Sequence, residues 1–101
     1  MIAINNLPLF KPGRIMATPG CLAEVERSGQ SLDQFLALHL AGDWGELESG
    51  DKAANDEALR DGSRLLSAYV LKTGEKIWII TEAADDDGNR EATTAILPSE
   101  Y

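Results

Sequence analysis

Cysteine and histidine are nearly absent from this 101-residue chain, which has one of each, Cys21 and His39. A single cysteine closes no intrachain disulfide, and a reducing, cytoplasmic setting is the default expectation. One Cys with one His also builds no Cys/His zinc site within one chain, and neither metal nor cofactor is expected. Basic residues are scarce, nine against seventeen acidic ones, for a formal charge of −8. Nucleic acid is an unfavourable partner for such a chain, because affinity for phosphate backbones needs a basic face that releases counterions. An anionic membrane surface is disfavoured by the same repulsion. No apolar run approaches the roughly 20 residues that span a bilayer. The opening MIAINNLPLF lacks a basic stretch ahead of a long apolar one, so no secretion signal is expected. A Gly-rich phosphate loop, a nucleophile elbow and a recognisable glycosidase carboxylate pair are missing too, which leaves an enzyme reading without a chemical basis.

What is present is ordinary globular composition, 44% hydrophobic and 26% charged. Length and composition together predict one domain over 1–101 with a modest core. Residues 1–8 have the least reason to be ordered, and 84–91 reads as a flexible acidic loop that does not pack. The acidity favours solubility and suits a basic protein partner.

Local punctuation predicts the elements. Leu7–Thr18 alternates weakly and reads as an edge strand broken by Pro12 and Gly13. Thr18 followed by Pro19 reads as N-cap and first helical residue of a helix through Cys21–Arg27, with Gly29 beyond its end. Ser31 and Gln34 form a capping box. Leu32, Phe35, Leu36 and Leu40 then trace one buried helical face that Gly42 ends. A third helix starts near Asp51, with Ala54, Ala58 and Leu59 as its apolar face, Asn55 and Glu57 pointing elsewhere, and Gly62 closing it. Leu65–Leu71 and Lys76–Thr81 read as a hairpin joined by Lys72–Glu75. Ala92–Leu97 reads as a further strand stopped by Pro98. The expected fold is α+β, with two or three short helices on a C-terminal three-stranded antiparallel meander and room for an extra N-terminal edge strand.

Several short runs together carry a resemblance: Thr18-Pro19-Gly20, His39, Gly42-Asp43-Trp44-Gly45, Asn55, Gly62 with Arg64, and Ser67-Ala68-Tyr69. They continue with Trp78-Ile79-Ile80-Thr81-Glu82, Thr93-Thr94 and the ending Leu97-Pro98 with Glu100-Tyr101. In these the chain resembles a family of small bacterial proteins often labelled plasmid-related, over nearly its whole length from about Leu9 onward. The family carries no established activity, so the resemblance implies membership and a mobile-element setting rather than a reaction. One departure stands out. Relatives resemble a short Ala-Asp-Arg-Ser link after the Thr-Glu pair, whereas here Ala83 to Ala92 intervene and Arg90 is the only arginine among them.

The segment His39–Gly45 supports two readings. In one, His39, Asp43 and Trp44 surround a concave site, with the imidazole as acid/base and the indole as a stacking surface. In the other, Gly42 ends a helix, Asp43 makes an Asx turn, Trp44 plugs the core and His39 sits at the helix's negative end. Glu82 with Thr93 or Thr94, beside Arg64, reads either as a polar site or as a cross-strand network on the solvent face. The run Asp85-Asp86-Asp87-Gly88-Asn89 lacks the frame of an EF-hand and reads as a solvated loop. Cys21, among Leu22, Ala23 and Val25, reads as a small buried hydrophobe.

Three functions follow in order of expectation. The first is a non-enzymatic accessory domain of mobile elements that binds another protein, with Asp43, Trp44 and Tyr101 as contact residues. The second is a small ribonuclease-toxin-like enzyme using His39 and Glu82 as base and acid and Arg64 on the phosphate, against which the charge of −8 argues. The third is an acidic DNA mimic, disfavoured because its acids are scattered among basic residues.

Overall fold

The computed structural model describes residues 8–101, so the expected disorder of 1–8 falls, for residues 1–7, outside the described part. The fold is α+β, and the elements run β1 (Arg14–Ala17), α1 (Pro19–Arg27), α2 (Leu32–Leu40), α3 (Ser49–Asp61), β2 (Leu65–Val70), β3 (Lys76–Thr81) and β4 (Ala92–Ile96). A 3-10 turn, Pro98–Glu100, follows. Strand order in the single sheet is β1-β4-β3-β2. The last three strands form the expected antiparallel meander. The sheet as a whole is mixed and four-stranded, because β1 joins it parallel to β4, Arg14 beside Ala92 through Ala17 beside Ala95.

The helices begin and end where local chemistry places them. The Thr18 hydroxyl accepts the Cys21 N–H at 3.2 Å and Pro19 occupies the first turn of α1. Both halves of the Ser31/Gln34 capping box open α2. The third helix differs from expectation at its start and on its face. It opens at Ser49 rather than near Asp51, with Glu48 supplying no side-chain cap. Its buried residues are Ala58 and Asn55, while Ala54 is exposed.

One sheet face carries the helices. Alternation puts Leu65, Ser67, Tyr69, Ile77, Ile79, Thr81, Thr93 and Ala95 on this side. Cys21 and Val25 of α1 and Phe35 and Leu36 of α2 pack there against Tyr69, Ile77, Ile79 and Ala95. A smaller cluster joins Trp44, Ala58 and Leu65, with Phe10, Leu47 and Leu59 around it. Fully burying one such Leu or Ile is worth roughly 1.5–3 kcal/mol, so the first cluster holds α1 and α2 to the sheet and the second holds α3.

Asn55 docks α3 by imitating a strand. Its side-chain N–H donates to the Leu66 carbonyl at 2.6 Å, and its Oδ1 accepts the Leu66 N–H at 3.2 Å. Next to it the chain does the same with backbone: the Ala68 N–H donates to the Trp44 carbonyl at 3.1 Å, and Glu46 N–H donates to the Ala68 carbonyl at 2.6 Å. That approach requires glycine at position 45, where φ is +78° and a Cβ would overlap the Ala68 carbonyl. Replacing Asn55 by Ala strands both backbone groups of Leu66 at a part-buried site. The expected loss is about 2–3 kcal/mol of unfolding free energy, read as a lower urea midpoint with unchanged slope.

Candidate functional site

The end of α2 assembles most of the residues that the sequence singles out. Gly42 takes φ +84° beyond the helix. Asp43 Oδ1 accepts the Gly45 N–H at 3.3 Å, an Asx turn, and the Asp43 carbonyl accepts the Tyr69 hydroxyl at 2.6 Å. Trp44 is 3% exposed and its indole N–H donates to Asp56 Oδ1 at 3.0 Å. The indole therefore offers no stacking surface to a ligand, and the contact role expected for Trp44 is corrected to a core plug. The Asp43 side chain, though exposed, is committed to the turn.

His39 is completely buried. Its Nδ1 lies 2.5 Å from Ser67 Oγ and its Nε2 2.8 Å from Thr81 Oγ1. Thr81 Oγ1 lies 2.7 Å from Thr93 Oγ1, which donates to the Pro12 carbonyl at 2.8 Å. The direction of this relay follows from its last member. A carbonyl only accepts, so the single Thr93 hydroxyl proton is spent there, and Thr81 must donate to Thr93. Thr81 then accepts from Nε2–H, and Ser67 donates to an unprotonated Nδ1. The imidazole is the neutral Nε2–H tautomer, with both nitrogens occupied.

Its surroundings enforce neutrality. Burial pushes the His39 pKa down from 6.5 to about 4, and the positive charge of Arg90 adds to the effect. Phe10 and Trp44 meet the ring edge-on at 5.4 and 5.6 Å. A neutral histidine gains nothing as a cation at the helix's negative end, so that part of the structural reading is replaced by hydrogen bonding.

Arg90 is the residue that sequence reasoning placed in a loop too acidic to pack. It is 8% exposed. Its guanidinium donates to the carbonyls of Ser63 at 2.7 Å, Glu82 at 3.0 Å and Ala58 at 3.0 Å, and stacks 5.8 Å from the Phe10 ring centre. It thus ties the C-terminal end of α3, where a cation is favoured by the helix dipole, to the end of β3. Desolvation lowers its pKa. The remainder of 84–91 is organised by Asp85, whose Oδ1 accepts the N–H groups of Asp87 and Asn89 at 2.9 Å each.

The other expected residues lie apart. Glu82 is exposed at the end of β3, one residue beyond Thr81, so alternation turns it from the helix-bearing face. Arg64 is exposed and donates to the Tyr101 hydroxyl at 2.6 Å. No hydrogen bond connects His39, Glu82 and Arg64 among the described residues. The network expected on the solvent face splits instead: Thr93 is fully buried beneath α2, as is Thr81 beside it, and Thr94 faces the other way. Cys21 is fully buried and its thiol pKa is pushed up to about 11 by burial, with the Glu100 charge assisting. It behaves as a hydrophobe.

Three residues escaped sequence reasoning: Asn55, Arg90 and Ser67. The parity of the strands held a signal for the last. Ser67 shares a face with Leu65 and Tyr69, and Thr81 shares one with Ile77 and Ile79, so polar residues at apolar positions marked a buried polar partner. The site is thus a set of structural locks in which every imidazole and guanidinium bond is internal. Comparison with family models, with curated proteins and with solved structures finds no match.

Two measurements check this account. Below pH 6.5 the unfolded chain takes up a proton at His39 that the folded chain refuses until about pH 4. Falling pH therefore favours unfolding, and the stability present above pH 6.5 is lost across that window, by ~3 kcal/mol. Urea midpoints measured from pH 7 to 4 should show this decline, with the His39→Gln variant flatter over the same range. Separately, Arg90→Lys keeps the charge but not the fork that reaches three carbonyls. It should cost about 2 kcal/mol in thermal or urea unfolding, and Arg90→Ala more.

Proposed function

We propose that this chain is a non-enzymatic accessory domain that acts by binding another protein, in the setting of bacterial plasmids or other mobile elements. The observation that carries the reading is the division of labour between the two sheet faces. Beneath the helices, the chain's sole histidine has both ring nitrogens spent on hydroxyls. Neither nitrogen is left for general acid–base work. On the opposite face Ala68, Ile80 and Ile96 are buried, Leu66 and Trp78 are half-buried, and Met16, Val70 and Tyr101 are exposed.

Register aligns Leu66, Ile80, Thr94 and Met16 across that second face, with Ala68, Trp78 and Ile96 beside them. Val70 and Met16 are 48% and 41% exposed. Tyr101 is 65% exposed and stands edge-on to Trp78 at 5.6 Å, with the Arg64 guanidinium 5.6 Å from its ring centre. Aromatic residues flanked by arginine on an apolar field are the composition of protein-binding hot spots. The mobile-element setting rests on the family resemblance. No observation favours the ribonuclease or DNA-mimic readings.

Tagged chain expressed in its native host should recover a specific protein partner, and Tyr101→Ala should cut that recovery by about tenfold or more. Recovery of no specific partner, or of one indifferent to Tyr101 and Arg64, would count against the proposal.

A further inference from the structure

The two outer edges of the sheet are finished differently. Along β2 the outward-facing backbone groups of two of its three such residues, Leu66 and Ala68, are taken. Leu66 is satisfied by the Asn55 side chain and Ala68 by Trp44 and Glu46. Just beyond, the Lys72 N–H donates to Gln30 Oε1 at 2.9 Å. With Val70 the one outward-facing strand residue left unpaired among the described residues, this edge is largely closed.

Along β1 nothing comparable occurs among the described residues. Arg14 N–H donates to the Glu91 carbonyl at 2.9 Å and Thr18 N–H to the Ala95 carbonyl at 3.0 Å. These bonds set the parity of the parallel ladder, so Arg14, Met16 and Thr18 face β4 while Ile15 and Ala17 aim N–H and C=O outward. Ile15 is 49% exposed, and Leu22, on the adjacent α1, is 48% exposed. An open edge with apolar side chains on both faces is a template for another strand.

We propose that β1 pairs antiparallel with β1 of a second copy of this chain, about a twofold axis through Met16. The register follows from the outward-facing groups. Ile15 of each copy exchanges both backbone bonds with Ala17 of the other, and Met16 meets its own symmetry mate in the intervening close pair. Arg14 then stands opposite Thr18 of the second copy, on the same face of the joined sheet. That position holds a carboxylate: the Thr18 hydroxyl donates to Glu100 Oε1 at 2.6 Å, and Leu97 N–H donates to the same oxygen at 2.8 Å. Among the described residues Arg14 has only a 3.9 Å, largely exposed pairing with Glu91. Twofold symmetry makes the Arg14–Glu100 complement twice, which is why a second copy, rather than an unrelated extended peptide, fits this edge. The proposal goes beyond partner binding through the Tyr101 face and stands or falls separately from it.

Sedimentation of the full chain from about 1 to 500 μM, in ~0.15 M salt to screen the net negative charge, should show a monomer passing to a dimer. Met16→Lys, which sets two like charges face to face on the axis, and Ala17→Pro, which removes an N–H that serves no bond among the described residues, should each weaken association about tenfold or more. Near-UV circular dichroism establishes that each variant is folded. Arg14→Glu and Glu100→Arg should each dimerise poorly alone, while an equimolar mixture of the two recovers a heterodimer, because both cross-pairs are then opposite in sign. A chain that stays monomeric throughout overturns the proposal. So does a dimer indifferent to Met16→Lys and Ala17→Pro, and a mixture that fails to recover overturns the register.

Discussion

The relay from the Ser67 hydroxyl through His39, Thr81 and Thr93 to the Pro12 carbonyl joins the parts of the molecule that chain connectivity leaves separate. It binds α2 to β2, β3 and β4 and fixes the segment that leads into β1. Ser67 only donates, while Thr81 and Thr93 each accept and donate, so its members depend on one another's direction. A buried network of this kind rigidifies a core only when every member is satisfied. Here the Pro12 carbonyl, which carries no proton to give, sets the direction for all of them. The consequence reaches the charge state: an extra proton on His39 Nδ1 would displace the Ser67 hydroxyl proton, which would then need a new acceptor in the core, beside the charge of Arg90. The fold tolerates this imidazole only while it is neutral.

Arg90 is the electrostatic counterpart of that constraint. A guanidinium keeps its charge when buried, and three carbonyls compensate its desolvation. Its field then helps to hold His39 neutral. The two groups are thus arranged so that one carries the local positive charge and the other carries none. Phe10 lies against both, edge-on to the imidazole and under the guanidinium, which gives it a structural task although residues 8–13 form no regular element.

Helix ends were legible in the sequence because their chemistry is local. Thr18 with Pro19, Ser31 with Gln34, and Gly62 each act within a turn or two of where they stand. The hairpin of β2 and β3 was legible for the same reason, from two β-branched runs and a short turn. What stayed hidden depends on distant partners. Asn55 looks like one more polar helix residue until Leu66 is set beside it, and Arg90 looks like part of a solvated acidic loop until the carbonyl end of α3 arrives. The parallel pairing of β1 with β4 spans most of the chain, and no local pattern announces it. The candidate site fared similarly. The turn chemistry of Gly42, Asp43 and Gly45 was readable, whereas the burial of Thr93 was misjudged, because alternation tells which residues share a face but not which face the helices cover.

The asymmetry between the sheet edges bears on how far any strand pairing can extend. Were both edges open, edge-to-edge addition would propagate, and a sheet of this kind would grow into a fibre. The β2 edge is interrupted by three separate segments, an asparagine from α3, the backbone around Gly45 and the Gln30 side chain, which leave Val70 alone between them. None of these adds appreciably to the main core cluster, yet each consumes a backbone group that would otherwise accept a neighbour. Growth is therefore confined to β1, and Pro12 and Pro19 bracket that strand so that only a short stretch is available. An edge open on one side alone, limited in length and self-complementary about its centre, is satisfied by a single second copy. Closure at two follows from the finishing of the far edge as much as from the chemistry of the near one.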